Sequence, residues 1–304
     1  MKDLNGELPV TEQENPRSSN LSSFSSSEIV ALMNEEDKIV ATAVEHTLKH
    51  VADAVDQIVL RLRSGGRLFY IGTGTSGRLG VLDAAECPPT FGVSSELVQG
   101  VIAGGYEACH RAVEASEDDA EASRVDLDQR GFNKDDALVG IAASGRTPYT
   151  VGAISYARQL GAFSVGLTCV PGSPITEVAE VSIVPVVGPE VVTGSSRLKA
   201  GTAQKMILNM ISTGTMTRLG YVSGNRMSNL QARNQKLRER AARILAAETG
   251  LDKSAAATAL AAAEGDLRVA AVMIATSSNL DKAKRSLIES NQVVSKAIKS
   301  LQTP

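Results

Sequence analysis

The chain has 304 residues, of which 43% are hydrophobic, 21% are charged and 3% are aromatic. At roughly 100 to 200 residues per domain, this length fits one large domain with a small one, or two domains of similar size. The formal net charge is −3 and there is no tryptophan, so the chain lacks both the basic face of duplex-binding proteins and the aromatic platforms of single-strand binders. Composition therefore argues against nucleic acid or an anionic membrane as the main partner.

Cysteine usage and the N-terminus indicate the compartment. Cys87, Cys109 and Cys169 are widely spaced and form no CxxC pair, which is typical of a reducing compartment rather than a disulfide framework. The polar N-terminus has no apolar segment of a signal peptide, and no apolar run approaches the roughly 18 residues that span a membrane. We therefore predict a cytoplasmic protein without a membrane partner.

The N-terminal third begins with a polar segment and continues as a helix. Residues 1–27 are rich in serine, which predicts a segment that lies on the surface. From Ser27 to Leu62 apolar residues recur at three- and four-residue spacing, as in a helix buried on one face. The glycines at 65 and 66 are predicted to end it.

The middle of the chain alternates apolar runs with helical stretches. Unbroken runs of this kind are typical of parallel strands covered on both faces; they lie at residues 67–72, 98–103, 137–142 and 163–169. A further run at 182–187 contains Pro185 and is predicted to be an edge strand. With helices at 110–129 and 148–160, the pattern predicts an α/β fold, a three-layer, doubly wound, mostly parallel sheet over residues 28–248.

From about Lys199 the chain is predicted to be helical. One long helix is expected over residues 226–249, and three further helices are expected at 254–263, 266–276 and 280–301. We assign residues 249–304 to a small C-terminal three-helix domain, which resembles ubiquitin-associated modules.

A glycine-rich turn follows the first predicted strand and opens a helix. It reads GTGTSGR at residues 72–78 and matches the GxGxxG pattern of dinucleotide sites. Such a site needs an acidic residue after the second strand, whereas Glu96 precedes that strand. Hydroxyl groups at Thr73, Thr75 and Ser76, next to helix N-terminal amides, suit a phosphate monoester instead.

A second turn of the same kind follows the third predicted strand. It reads ASGRTP at residues 143–148 and contains Ser144 and Thr147. Capping of the next helix would also explain these two residues. Because ligands bind at the carboxyl ends of parallel strands, the two turns together favour a phosphosugar site.

The two turns resemble the phosphosugar-binding domain of sugar isomerases, and LDAAECPPTFG at residues 82–92 is similar to the N-acetylmuramic acid 6-phosphate etherases of that superfamily. The resemblance continues through IAGG, EASEDD and TGSSRLKAGT, at residues 102–105, 114–119 and 193–202. It implies a lyase of cell-wall amino sugar recycling that eliminates D-lactate from C3 of N-acetylmuramic acid 6-phosphate and adds water, giving N-acetylglucosamine 6-phosphate. No cofactor and no metal are implied.

The family pattern implies that Glu86 and Glu117 are the catalytic acid/base groups. Glu86 would act at C2 and C3, and Glu117 would be the second acid/base that aids ring opening. The residues alone leave other interpretations open. Glu86, just before Pro88-Pro89, is equally a solvated helix end, and Glu117, with Glu114 and Glu121, equally lies on the wet face of a helix.

Matched position by position, the resemblance implies that the phosphate is bound by Thr75, Ser76, Ser144 and Thr147, with the amides of Gly77 and Gly145. Related domains carry a further serine where this chain has Ala142 and Ala143, so Arg78 or Arg146 is a candidate source of positive charge. Arg197 and Lys199 are candidates for the lactyl carboxylate or the N-acetyl group. Lys199 is alternatively a solvated side chain.

Two other functions use the same kind of domain. One is a sensor of phosphosugars, like the related vertebrate regulator of glucokinase, and the other is an aldose-ketose isomerase of sugar phosphates. Glu86 and Glu117 favour catalysis over sensing. Because related domains pair, we expect a homodimer with residues of both chains near each site. His46 and His50 have no third metal ligand nearby in sequence, so we interpret them as surface residues.

Overall fold

The computed structural model describes residues 8–113, 117–227, 235–290 and 292–302. They divide into two compact units, Met1–Ala85 with Glu96–Gly214, and Glu86–Ser95 with Thr215–Pro304. Residue 249, where the sequence predicts the start of the C-terminal domain, lies within the second unit. No helix among the described residues is long and apolar enough to cross a bilayer.

The described part of the first unit begins with three 3₁₀ turns. Two helices follow where the sequence predicts one. The turns are Val10–Glu12, Pro16–Ser18 and Leu21–Ser23, and the helices are α1 (Ser26–Glu45) and α2 (Leu48–Arg63). Ser25 and Glu28 form a capping box at the start of α1. The break follows Glu45 because the Thr47 hydroxyl donates to the Val44 carbonyl at 2.7 Å, a local bond that competes with the helical ladder.

Five parallel strands form the sheet of the first unit. They are β1 (Leu68–Gly72), β2 (Val98–Ile102), β3 (Ala137–Ile141), β4 (Phe163–Leu167) and β5 (Val181–Ile183), in the order β2-β1-β3-β4-β5. All four pairings are parallel. The predicted doubly wound sheet is confirmed, and β5 lies at its edge as Pro185 indicated. The strand order reverses between β1 and β3, which is where such sheets bind ligands.

The helices that lie wholly or mostly in this unit are α3 (Gly74–Phe91), α4 (Glu107–His110), α5 (Ala120–Gln129), α6 (Pro148–Leu160), α7 (Pro174–Val178) and α8 (Lys199–Leu219). The end of α3 from Glu86 and the end of α8 from Thr215 belong to the second unit. Buried residues of α5, α6 and the sheet form one core, including Leu127, Ile154, Phe69 and Leu138.

Two helix predictions in this region are wrong. The helix expected over 110–129 begins only at Ala120, because Asp119 caps it by accepting the Ala122 amide at 3.0 Å. The helix carrying Glu86 was expected to end before Pro88-Pro89, but α3 continues to Phe91. A proline's fixed φ is compatible with a helix even though its amide is lost.

Besides the ends of α3 and α8, the second unit contains a short hairpin and five further helices among its described residues. The hairpin pairs β6 (Val222–Ser223) with β7 (Arg226–Met227), and the helices are α9 (Gln235–Thr249), α10 (Lys253–Ala262), α11 (Leu267–Thr276), α12 (Leu280–Glu289) and α13 (Val294–Gln302). Ala241 and Leu245 of α9 pack in one core with Leu260, Leu267 and Leu287.

Two helix predictions are corrected in the second unit. Residues 226 and 227, expected to start a helix, belong to the hairpin, and the helix expected over 280–301 is two helices. Gln292 adopts a φ of 64° between them, a left-handed conformation that a helix cannot contain.

Candidate active site

A cavity of about 350 Å³ lies in the first unit at the carboxyl ends of the strands. Its lining includes Thr73 directly after β1, Ala103 directly after β2 and Ala142 directly after β3. The volume is within the range of roughly 300–1,000 Å³ that small-molecule sites occupy. The switch point of the sheet thus holds a cavity suited to one small ligand.

The first glycine-rich turn leads directly from β1 into α3, and Thr75 and Ser76 line the cavity. The amides in the first turn of a helix have no carbonyl partner within it, so the start of α3 attracts an anion. The Ser76 hydroxyl also donates to Gln204 Oε1 at 3.0 Å.

Gly77 allows close packing between α3 and β1 in this turn. Its amide, predicted to face a phosphate, donates to the Thr73 carbonyl at 2.9 Å. A Cβ at this position would lie 2.6 Å from the Gly72 carbonyl oxygen. The glycine therefore allows α3 to approach β1 closely, and the amides of the three preceding residues are the ones at the beginning of the helix.

The second turn brings Ser144 and Thr147 to the same cavity. Thr147 occupies the N-cap of α6 but makes no side-chain capping bond, so capping does not explain this hydroxyl. Ser144 Oγ accepts the Arg146 amide at 3.3 Å.

Gly145, like Gly77, is needed for the backbone conformation of its turn. Its φ is +64°, and a Cβ would lie 2.0 Å from Ser173 Oγ. Its amide donates to the Ala142 carbonyl at 3.0 Å. The glycine thus closes the tight turn that presents Ser144.

Glu117 lies in the cavity beside the start of α3. A Cβ built on Gly74 would lie 3.4 Å from Glu117 Oε1, and Glu117 is among the lining residues. It precedes the Asp119 cap of α5 and is not helical, so the interpretation as the wet face of a helix is wrong. The Tyr149 amide donates to its carbonyl at 3.1 Å. Glu114, the alternative one turn earlier, lies outside the described residues.

Glu86 is placed differently from Glu117. It is exposed on α3 and is not one of the residues that line the cavity. Glu86 belongs to the second unit, whereas Glu117 and the cavity belong to the first.

The basic candidates are also placed by the structure. Lys199 is 1% exposed and its Nζ lies 2.6 Å from Glu36 Oε2, so it is not a solvated side chain. Neither Lys199 nor the exposed Arg197 lines the cavity. Arg78 does line it, while its Nη2 donates to the Arg111 carbonyl at 2.8 Å. Arg146 is not among the lining residues.

Comparison with known proteins decides the family. Residues 50–158 match the family model of the glucokinase regulatory protein N-terminal SIS domain. Over 301 residues the chain is 50% identical to an N-acetylmuramic acid 6-phosphate etherase of Clostridium beijerinckii, with 99% of each chain covered. The chain belongs to the N-acetylmuramic acid 6-phosphate etherase family.

Other relatives extend the comparison. The etherase of Photorhabdus laumondii is 52% identical over 275 residues, which cover 90% of this chain and 91% of that one. The solved structure of a phosphoheptose isomerase from Neisseria gonorrhoeae is 20% identical and covers 63% of this chain and 99% of its own, with a TM-score of 0.49.

In this member of the etherase family, one part of the cavity wall comes from residues outside the predicted motifs. Thr11, Glu12 and Ser196 line it together with the predicted residues. The N-terminal residues carry no motif, and a polar segment predicts only a surface location. Their place in the site results from the folding of residues 8–18 against α1 and the residues before α8.

Proposed function

We propose that this chain cleaves the C3 D-lactyl ether of N-acetylmuramic acid 6-phosphate, releasing D-lactate and forming N-acetylglucosamine 6-phosphate. The observation that carries the proposal is the carboxylate of Glu117 in one cavity with two hydroxyl-bearing helix starts. A phosphate monoester suits the helix starts, and a carboxylate suits the proton transfers of an elimination. Membership of the etherase family supports the same substrate.

The phosphate is bound, in this proposal, by the hydroxyl groups of Thr75, Ser76, Ser144 and Thr147. All four residues line the cavity. Thr75 and Ser76 lie in the first turn of α3, Thr147 is the N-cap of α6, and Ser144 lies in the turn just before it. The dipoles of both helices favour an anion at these ends. Arg78, which also lines the cavity, adds positive charge.

The reaction combines an elimination, which releases lactate, with the addition of one water molecule. Ring opening exposes an aldehyde at C1, which acidifies the proton on C2. A carboxylate removes that proton, the C3–O bond breaks, and lactate leaves with the ether oxygen. Water then adds to C3 of the unsaturated aldehyde and a proton returns to C2. We assign the proton transfers at C2 and C3 to Glu86 and the second acid/base role, in ring opening, to Glu117.

We propose further that the chain forms a homodimer in which Glu86 of the second copy completes the site. The support is that Glu86 is exposed on α3 while Glu117 lines the cavity. A two-fold dimer would create two equivalent sites, each with one glutamate from either chain.

Isotope labelling tests the reaction. Purified protein in ¹⁸O-labelled heavy water should release unlabelled D-lactate and give a sugar with deuterium at C2. After back-exchange of the C1 oxygen, ¹⁸O should remain at C3. Glu117→Gln should reduce kcat/KM by about 10²- to 10⁴-fold. The matched control is Glu121→Gln, which changes an exposed carboxylate on α5. Labelled lactate, or no lactate from folded protein, would contradict the proposed reaction.

Complementation tests the shared site. Glu86→Gln and Glu117→Gln should each be inactive, whereas dimers reassembled from an equal mixture should recover about a quarter of the wild-type activity. Half of those dimers are mixed, and each mixed dimer has one intact site. Isolated mixed dimers without activity would show that both glutamates act within one chain, and a monomer by sedimentation would reject the dimer.

We place the reaction in the cytoplasm. The cysteines at 87, 109 and 169 form no disulfide with one another, which fits a reducing compartment. Detection of the tagged protein in cell fractions tests this placement.

A further inference from the structure

The N-terminal segment supplies part of the cavity wall that neither phosphate-binding turn provides. Thr11 and Glu12, in the first 3₁₀ turn, line the cavity together with Ser196. The carboxylate of Glu12 lies near Gly194, since a Cβ there would be 3.5 Å from Glu12 Oε2. This wall is separate in sequence from the turns that follow β1 and β3.

Thr11 has a buried hydroxyl group that is available to a ligand in the cavity. It is 2% exposed, and its hydroxyl oxygen has no hydrogen-bond partner in the part of the chain that the structure describes. Buried hydroxyl groups are almost always hydrogen-bonded in folded proteins. A sugar hydroxyl or amide in the cavity would provide that partner.

The segment is held in position by hydrogen bonds and ion pairs centred on the buried Glu36 carboxylate. Asn15 Nδ2 donates to Glu36 Oε2 at 2.8 Å and to the Pro189 carbonyl at 3.2 Å. Arg17 Nη1 donates to Glu36 Oε1 at 2.8 Å, and Lys199 pairs with the same carboxylate. Such supporting contacts are what hold a recognition residue in a productive position.

The charge of Glu12 restricts what it can contact. An ionised carboxylate only accepts hydrogen bonds, and it repels the phosphate and the lactyl carboxylate of the substrate. The remaining donors of the substrate are the hydroxyl groups and the acetamido N–H of the hexosamine. Glu12 therefore suits the body of the sugar and not its anionic groups.

We propose that Thr11 and Glu12 form a sugar-recognition subsite, in which Glu12 accepts a hydrogen bond from an O–H or N–H group of the hexosamine and Thr11 supports the same contact. The inference rests on the proposed function for the identity of the ligand, a phosphorylated N-acetylhexosamine. Glu12 is a specificity-determining residue and takes no part in the proton transfers.

Calorimetric binding of N-acetylglucosamine 6-phosphate and of inorganic phosphate tests the subsite without catalysis. Glu12→Gln should weaken binding of the sugar phosphate by about 10- to 100-fold, the effect of one charge-assisted hydrogen bond. Binding of inorganic phosphate should stay within about twofold, because the phosphate turns are unchanged. The matched control is Glu14→Gln, a nearby exposed carboxylate outside the cavity lining. Thr11→Val should weaken sugar binding, and Thr11→Ser should restore it.

The outcomes separate this inference from the proposed function. Unchanged sugar-phosphate binding in Glu12→Gln, or an equal loss for both ligands, overturns the subsite even if lactate is released. A selective loss of sugar binding supports it even if no lactate is released. Binding of glucose 6-phosphate to Glu12→Gln identifies the donor. Weaker binding of both sugar phosphates indicates a hydroxyl group, and weaker binding of the N-acetyl sugar alone indicates the amide.

Discussion

Lys199 and Glu36 form a buried ion pair that joins distant parts of the first unit. Lys199 Nζ lies 2.6 Å from Glu36 Oε2, and the side chains are 2% and 7% exposed. Asn15 donates to the same Glu36 oxygen and Arg17 donates to the other one. The amides of Lys199 and Ala200 both donate at 3.0 Å to the buried carboxylate of Glu190. The start of α8 is therefore fixed by two carboxylates.

We predict that Lys199→Met lowers the free energy of unfolding by about 3–5 kcal/mol, because it leaves the buried Glu36 carboxylate without its ammonium partner. Urea unfolding measures this change. Lys38→Met is the control, since Lys38 pairs with Glu35 at the surface, and its change should stay within about 1 kcal/mol. A raised KM with unchanged stability would instead mean that Lys199 contacts the substrate.

Single-residue chemistry could be predicted only in part. Thr75, Ser76, Ser144, Thr147 and Glu117 all line one cavity. The four hydroxyl residues belong to turns that follow strands whose ends must meet, whereas Glu117 could be singled out only through the family pattern. Their roles as phosphate ligands and acid/base stay predictions. The place of Thr11 and Glu12 in the cavity could not be predicted, because a residue that reaches a site from a remote segment belongs to no local sequence motif.

At the scale of elements, the contact between β1 and α3 determines the shape of the first turn. Gly72 ends β1 and Gly77 lies in the first turn of α3, where a side chain would meet the Gly72 carbonyl. A helix can begin so soon after a strand only if its backbone approaches the strand closely.

We predict that Gly77→Ala destabilises the protein by about 1–3 kcal/mol, the usual effect of overpacking, and weakens binding of inorganic phosphate. Gly201→Ala is the control. It lies in α8, where a Cβ would come no closer than 3.5 Å to its neighbours, and alanine is favoured within a helix. Thermal unfolding and phosphate titration of both variants check this prediction. Equal behaviour of the two variants would contradict it.

Helix ends were harder to predict than strands. Apolar spacing continues across Thr47 and across Gln292, so periodicity indicates one helix where there are two. The breaks depend on a side-chain bond to the backbone at Thr47 and on a left-handed residue at Gln292. Periodicity reports which face is buried and not where the hydrogen-bond ladder stops.

At the scale of the whole molecule, two buried carboxylates have opposite effects on pH-dependent stability. Burial opposes ionisation of Glu36, but the hydrogen bond and charge of Lys199, with Asn15 and Arg17, hold its pKa below the ordinary 4.5. Burial raises the pKa of Glu190, although it accepts the amides of Ala200 and Lys199. Ionised Glu36 therefore favours folding, whereas ionisation of Glu190 opposes it.

The stabilisation from Glu36 should be present above pH 4.5 and lost as the pH falls through its lower folded pKa. Glu36→Gln should therefore have a lower free energy of unfolding than wild type. This difference should be largest near neutral pH and become smaller in acid. Glu190→Gln should show the opposite pH dependence: its free energy of unfolding should increase relative to that of wild type as the pH rises above 4.5. Urea unfolding from pH 3.5 to 7 compares the three proteins, and parallel curves would contradict both assignments.

The parallel sheet, the two glycine-rich turns and the family could all be derived from the sequence alone. Strands buried on both faces require unbroken apolar runs, and the turns and family motifs are contiguous in the chain. Three features became visible only in the folded chain: Lys199 pairs with Glu36, 163 positions away, Glu117 but not Glu86 lines the cavity, and Thr11 and Glu12 line it too. These features arise from contacts between residues far apart in sequence, and the spacing of residues within one segment does not predict such contacts.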